Sequence, residues 1–247
     1  MRRLFLLVSL LFLAIGSVFC ITNPFSYPVK TVIVDAGHGG KDPGTSYAWS
    51  FAGGTIYEKE YTLDIALRVK ALLEVAHSDW NIILTRNSDS YISLADRCAI
   101  AYGIPLEKKS SAVFVSIHVN SAPNNQAEGY EILTKMQGHR VTLLDELTPR
   151  TNISLLAGFG ENELNEMLNE RNSIIASTFG KVLQEKMPLM HNRGVKEQNI
   201  QVLNASRVPA VLVEVCFITN EVDAKNLITA TWRQSMANAI ATAIETL

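Results

Sequence analysis

Along most of the chain, apolar runs of strand length alternate with stretches of helical periodicity. Residues 31–36, 81–85, 112–117, 129–133, 200–203 and 210–217 are short, continuous apolar runs rich in β-branched side chains, and each reads as a strand. Continuous rather than alternating runs imply strands covered on both faces. A helix is expected over 60–74, where Ile65, Val69, Leu72 and Leu73 share one face that Leu63 and Ala66 widen. Ser93 followed by Asp96 forms a capping box that opens a second helix, and a third runs over 172–187 until Pro188 stops it. Asn220 with Asp223 marks another helix start, and 229–247 closes the chain as a helix. Strands alternating with helices indicate an α/β fold, a central and largely buried sheet flanked by helices.

The N-terminus departs from this pattern. Met1-Arg2-Arg3 precedes an apolar run from Leu4 to Ile15 and the small residues Gly16 and Ser17, which is the grammar of a secretory signal over 1–20 and implies an exported, periplasmic protein. A retained anchor is the alternative, since the run sits at the short edge of what spans a bilayer. Cys20 invites lipidation, although Phe19 is bulky where such sites carry a small residue. Residues 21–30, with Pro24 and Pro28, read as a leader, and 31–247 as the catalytic domain with an insertion at about 135–171.

At 247 residues, 47% hydrophobic and 19% charged, the chain suits one globular core. A net charge of −2 without any Lys/Arg-dense stretch argues against nucleic acid as a partner. Cys98 and Cys216 lie in apolar surroundings and read as buried thiols rather than a disulfide.

Two histidines stand at strand ends. The run Val32-Ile33-Val34 leads into Asp35-Ala36-Gly37-His38-Gly39-Gly40, and Val115-Ser116-Ile117-His118-Val119-Asn120 passes from apolar strand to polar loop. Open α/β sheets carry their sites at such ends. With an acidic third ligand the pair would supply a His/His/carboxylate set that holds catalytic zinc and leaves a fourth position open. Glu58 is the best candidate, and spacing leaves Glu60 and Asp35 open. Mixed nitrogen and oxygen donors suit zinc without excluding manganese or cobalt. Glu214 sits inside the apolar run Val211-Leu212-Val213-Glu214-Val215, where an unpaired carboxylate is expensive to bury. It reads either as a general base tuned by burial and a nearby metal, or as a salt-bridge partner of an arginine such as Arg97.

Taken in order, these blocks resemble the zinc-dependent N-acetylmuramoyl-L-alanine amidase family that cleaves peptidoglycan during cell separation, over nearly all of 31–228. The matching blocks also include Asp42-Pro43-Gly44, Glu58-Lys59, Leu84-Thr85-Arg86, Ser93-Leu94-Ala95-Asp96-Arg97, Arg193-Gly194-Val195-Lys196 and Pro209-Ala210-Val211. The resemblance implies a mixed, mostly parallel six-stranded sheet with helices on both faces. It implies zinc on His38, Glu58 and His118, activation of water by Glu214, and Asn120, Arg193 and Lys196 near a peptidoglycan substrate.

Two features depart from the family. Cys216 stands where glycine is usual and, two residues from Glu214, would face the site or fill the same space as a buried thiol. In the insertion, Leu164, Met167 and Leu168 share a helical face while Glu163, Glu166 and Glu170 spread over the rest. Some relatives carry an inhibitory helix here that a protein activator removes, so this helix is expected either to gate the zinc or to be a solvated surface helix. The rival activities are a zinc carboxypeptidase acting on the stem peptide and a catalytically silent wall-binding protein. A serine acyl-enzyme is disfavoured because no S-x-x-K occurs.

Overall fold

In the computed structural model, which describes residues 22–247, the valine- and isoleucine-rich segments lie side by side in one sheet. The elements in chain order are β1 (Val29–Ala36), β2 (Ser46–Trp49), β3 (Gly54–Tyr57), α1 (Glu58–Ala76), β4 (Asn81–Leu84), α2 (Leu94–Tyr102), β5 (Ser111–Asn120), β6 (Tyr130–Lys135), α3 (Arg150–Leu156), α4 (Glu161–Lys186), β7 (Asn192–Gln198), α5 (Gln201–Ala205), β8 (Ala210–Phe217), α6 (Glu221–Leu227) and α7 (Ala230–Glu245). Six strands form the main sheet in the order β4-β1-β5-β8-β6-β7, while β2 and β3 make a separate hairpin. Only the β6–β8 pair is antiparallel, so the sheet is mixed and mostly parallel, as expected.

Alternation along each strand sends side chains to two different cores. Val32, Val34, Val113, Val115, Val211 and Val213 pack under α1, α4 and α7, whereas Ile33, Phe114, Leu212 and Leu133 pack under α2 and α5. Each such side chain, fully buried, is worth about 1.5–3 kcal/mol. Helices thus cover both faces. Asp35, Ser116, His118, Glu214 and Glu131 fall on the second face, two residues apart from its apolar members or in direct register with one another.

Three expectations are corrected. Residues 200–203 do not form a strand. Leu203 and Asn204 donate their N–H groups back to the Ile200 carbonyl, and Val202 and Leu203 drop from α5 into the second core. The sixth strand is instead β7, Asn-Arg-Gly-Val-Lys-Glu-Gln, whose polarity hides it because it is an edge strand paired on one side only. The third helix begins not at 172 but at Glu161, so the last part of the 135–171 insertion is the start of one continuous helix, and the short helix α3 precedes it within the insertion. Caps at Ser93 and Asn220 are where the sequence puts them. The signal segment and Cys20 lie outside the described residues.

Candidate metal centre

The loop after β1 carries the first histidine in an unusual conformation. His38 has φ 61°, in the left-handed region, which costs a non-glycine residue roughly 1–2 kcal/mol. Two buried arginines offset that strain by gripping the loop carbonyls. Arg86 donates to the carbonyls of Ala36 and Gly37, and Arg97 to those of Ala36 and His38. Arg97 is in turn ion-paired with Asp35, which also accepts hydrogen bonds from the hydroxyls of Thr85 and Ser116. Arg97 therefore belongs to Asp35 and not to Glu214. Gly37 leaves room for the second histidine, since a Cβ on it would stand 2.5 Å from the His118 ring.

Glu58 opens α1 at the foot of the β2–β3 hairpin, and its two oxygens are fixed by the backbone N–H groups of Val119 at 2.9 Å and Thr45 at 2.8 Å. The side chain lies between the histidines, with Oε1 2.9 Å from His118 Nδ1 and Oε2 3.2 Å from His38 Nε2. The other nitrogen of His38, Nδ1, is oriented by Asp42 at 2.9 Å. The rings of His38 and His118 meet edge to face, with centroids 4.9 Å apart. Burial works to raise the pKa of Glu58, but hydrogen bonds from His118 and His38 outweigh it and hold the carboxyl well below its usual range. Burial conversely lowers the pKa of His118, and the hydrogen bond and charge of Glu58 overcome this and raise it to about 9. His38 shifts upward by the same balance.

Glu214 pairs in register with His118 across the β5–β8 ladder. Part of the residue touches solvent, yet Oε2 is buried without a hydrogen-bond partner, and burial pushes the carboxyl up to about 7. Directly across the antiparallel pair stands Glu131, a second buried carboxylate. It accepts from Arg193 and Lys196, the latter at 2.7 Å, and from Asn120 at 3.3 Å. The sequence reading missed Glu131, although an acidic residue inside the apolar strand Tyr130-Glu131-Ile132-Leu133 is the same signal that exposed Glu214. Asp42 was likewise missed as the group that orients His38.

The structure thus brings His38, Glu58, His118, Glu214, Asn120, Arg193 and Lys196 to one rim of the sheet. It leaves out Glu60, which is exposed, and Asp35, which is spent on Arg97. Cys216 is fully buried within the first core and does not join the histidines. Glu163, Glu166 and Glu170 are not brought to the site. Their segment of α4 packs Leu164 and Leu168 on Phe25, Leu143 and Leu156, and Asn165 and Asn169 hold Val141 and Lys135. Since β6 runs antiparallel to β8, Lys135 lies at the end of the sheet away from Glu214.

Ligand atoms of His38, Glu58 and His118 all lie within 4.8 Å of one another. Two imidazoles and one carboxylate are the three-ligand set of catalytic zinc sites, and an oriented second nitrogen on a histidine is the outer-shell arrangement such sites use. The unpartnered Oε2 of Glu214 fits the same purpose, because a buried acceptor without a donor is costly unless a bound molecule supplies one. Zinc therefore fits the residues present.

The family profile described as N-acetylmuramoyl-L-alanine amidase matches residues 32–246. The chain is 28% identical to N-acetylmuramoyl-L-alanine amidase AmiC of Escherichia coli, across 87% of this chain and 52% of that protein, so it spans about half the length of that relative. Among solved structures, an N-acetylmuramoyl-L-alanine amidase from Clostridium difficile 630 superimposes with a TM-score of 0.68 at 26% identity, covering 88% of this chain and 96% of the other. The CwlD amidase of Clostridioides difficile, solved in complex with the GerS lipoprotein, gives 0.65 at 25% identity, covering 88% and 97%.

Proposed function

This chain belongs to the N-acetylmuramoyl-L-alanine amidase family, Amidase_3, and on that premise we propose that it hydrolyses the amide joining N-acetylmuramic acid to L-alanine in peptidoglycan. The observation that carries the reading is the His38–Glu58–His118 group with Glu214 in register beside it. A zinc ion on that group would supply Lewis-acid polarisation of the scissile carbonyl and a more acidic water.

The chain's own residues do the rest. Glu58 is fixed by two backbone N–H groups and His38 by Asp42, so the donors are set before any ligand arrives. Glu214, in register beside His118 with one carboxylate oxygen free of any protein donor, is placed to take a proton from water and pass it to the leaving alanine nitrogen. Asn120, Arg193 and Lys196 line the substrate on the far side of Glu214. The protein acts as an exported enzyme of wall remodelling or cell separation, consistent with a signal over 1–20. The GerS complex of the CwlD amidase supports regulation by a protein partner.

Stripping the metal with a chelator tests the reading. Release of stem peptide should stop and return on adding zinc, while His118→Ala should recover less than about a hundredth of the wild-type rate, in line with the loss of a metal ligand. Undiminished cleavage by the stripped protein would remove the metal from the mechanism. Restoration by manganese but not zinc would change the ion.

A further inference from the structure

The order of strands arranges the site as a line. From one side to the other the rim carries the loop after β4, then His38 in the loop after β1, His118 on β5, Glu214 on β8, Glu131 on β6, and Arg193 with Lys196 on β7. The proposed cut falls near the middle of that line. Its two ends differ in chemistry.

The β7 end carries two cations on one anchor. A single oxygen of Glu131 accepts from both Arg193 Nε and Lys196 Nζ, while Asp223, the other buried carboxylate that acts on Arg193, is occupied by the N–H groups of Gly129 and Phe217. Arg193 spends only Nε on Glu131. Among the described residues neither of its terminal amino groups donates to the protein, and the guanidinium lies over the Phe217 ring, 4.8 Å from its centroid. The side chains remain 28% and 41% exposed, against 5% for Glu131, so the donors are accessible and their anchor is not. A planar fork with unused N–H groups beside an ammonium is suited to a carboxylate.

At the other end, Tyr91, Ile92 and Leu94 wall a cleft that also touches His38 and His118. Tyr91 and Leu94 are about half exposed. Arg97 on the same cleft is neutralised by Asp35, and Asp42 is partly exposed there, so the surface suits an uncharged, partly apolar ring better than an anion.

Resting on the amidase reading, we propose that Arg193 and Lys196, held by Glu131, bind a free carboxylate of the stem peptide, so that the peptide runs across β8 and β6 towards β7 and the saccharide lies towards the Tyr91–Leu94 cleft. Spacing agrees with this direction. Strands stand about 4.8 Å apart, so β6 is about 10 Å from β5. An extended peptide advances about 3.3–3.6 Å per residue, which places a carboxylate on the second or third stem residue over the two cations. In a stem whose second residue is a γ-linked glutamate, the α-carboxylate at that position is free. A diamino acid at the third position offers another. Lys41, which has no acidic partner among the described residues and lies 4.4 Å from the Tyr91 ring centroid, is the competing cation, on the saccharide side.

The test uses the zinc-loaded full chain and three soluble muramoyl peptides: one with both carboxylates free, one amidated at the second residue and one amidated at the third. One of the two amidations should lower wild-type kcat/KM about tenfold, mainly through KM, and the same comparison in Lys196→Gln and Arg193→Gln should give a ratio near one. Which amidation matters identifies the carboxylate. Equal rates on all three peptides would overturn the proposal, as would discrimination that survives both variants or disappears only in Lys41→Gln. Products that show a different bond cut, whatever the ratios, would instead overturn the amidase reading on which it rests.

Discussion

At the scale of single residues, Glu214 sets stability against chemistry. Its carboxyl ionises near 4.5 in an unfolded chain, and burial raises that to about 7 in the folded, metal-free protein. Between those values the folded state holds a proton that the unfolded state has lost, so stability falls as pH rises through the window and the full penalty is present above pH 7. At 1.36 kcal/mol per unit of pKa, the penalty is at most about 3 kcal/mol. Glu214→Gln should accordingly stabilise the metal-free protein by about 2–3 kcal/mol at pH 8 and by much less at pH 5, while removing the proton acceptor. Denaturant titrations at the two pH values check this, and equal stability of variant and wild type at pH 8 would mean that Glu214 is not desolvated. His118 runs the other way. Its raised pKa contributes stability below about 6.5 that is lost as pH climbs towards 9, so the metal-free protein should weaken steadily on the alkaline side.

At the scale of elements, the site depends on how β1 and β4 are tied to α2. Arg97 projects from the first turn of α2 into a buried ion pair with Asp35 and onto the carbonyls of Ala36 and His38. Arg97→Met would strand the Asp35 charge and release the His38 loop, with an expected loss of about 3–5 kcal/mol in denaturant titration. A loss under about 1 kcal/mol would show that Thr85 and Ser116 satisfy Asp35 without it. A different test separates the two readings of the insertion. Leu164 and Leu168 of α4 are nearly fully buried in a small cluster at the end of the sheet away from the metal group. Leu164→Ala should cost about 2–5 kcal/mol and leave kcat/KM of the folded fraction within about twofold. A rise in activity on loosening this helix would favour a gate. These elements also mark what the sequence could and could not say. Strands that are buried on both faces, such as β1, β5 and β8, announce themselves as apolar runs, and the histidines at their ends were legible for the same reason. The edge strand β7 did not, because it is paired on one side only and carries Arg193, Lys196 and Glu197 with no apolar stripe. Residues 200–203 were misread because a run of four residues fits a strand and a buried helical turn equally well. The β2–β3 hairpin was missed too, its alternation of half-buried aromatics and small residues being too short to register.

At the scale of the whole molecule, the sheet separates two poles. Asn23 bonds to Met167 of α4, and the carbonyl of Tyr27 accepts from Ser111 at the start of β5, so the first described residues lie at the end of the sheet opposite His38, His118 and Glu214. Among the described residues no helix is long and apolar enough to cross a membrane. What joins fold to function is the bond that is cut, and product masses from a defined muramoyl peptide, digested by the zinc-loaded protein and by Glu214→Gln, identify it. Wild type should release the intact stem peptide with a free N-terminal L-alanine, and Glu214→Gln should release at least about a thousandfold less, as expected when an essential proton acceptor is removed. Loss of only a terminal amino acid from the stem would make the enzyme a carboxypeptidase, and undiminished release by the variant would take Glu214 out of the chemistry.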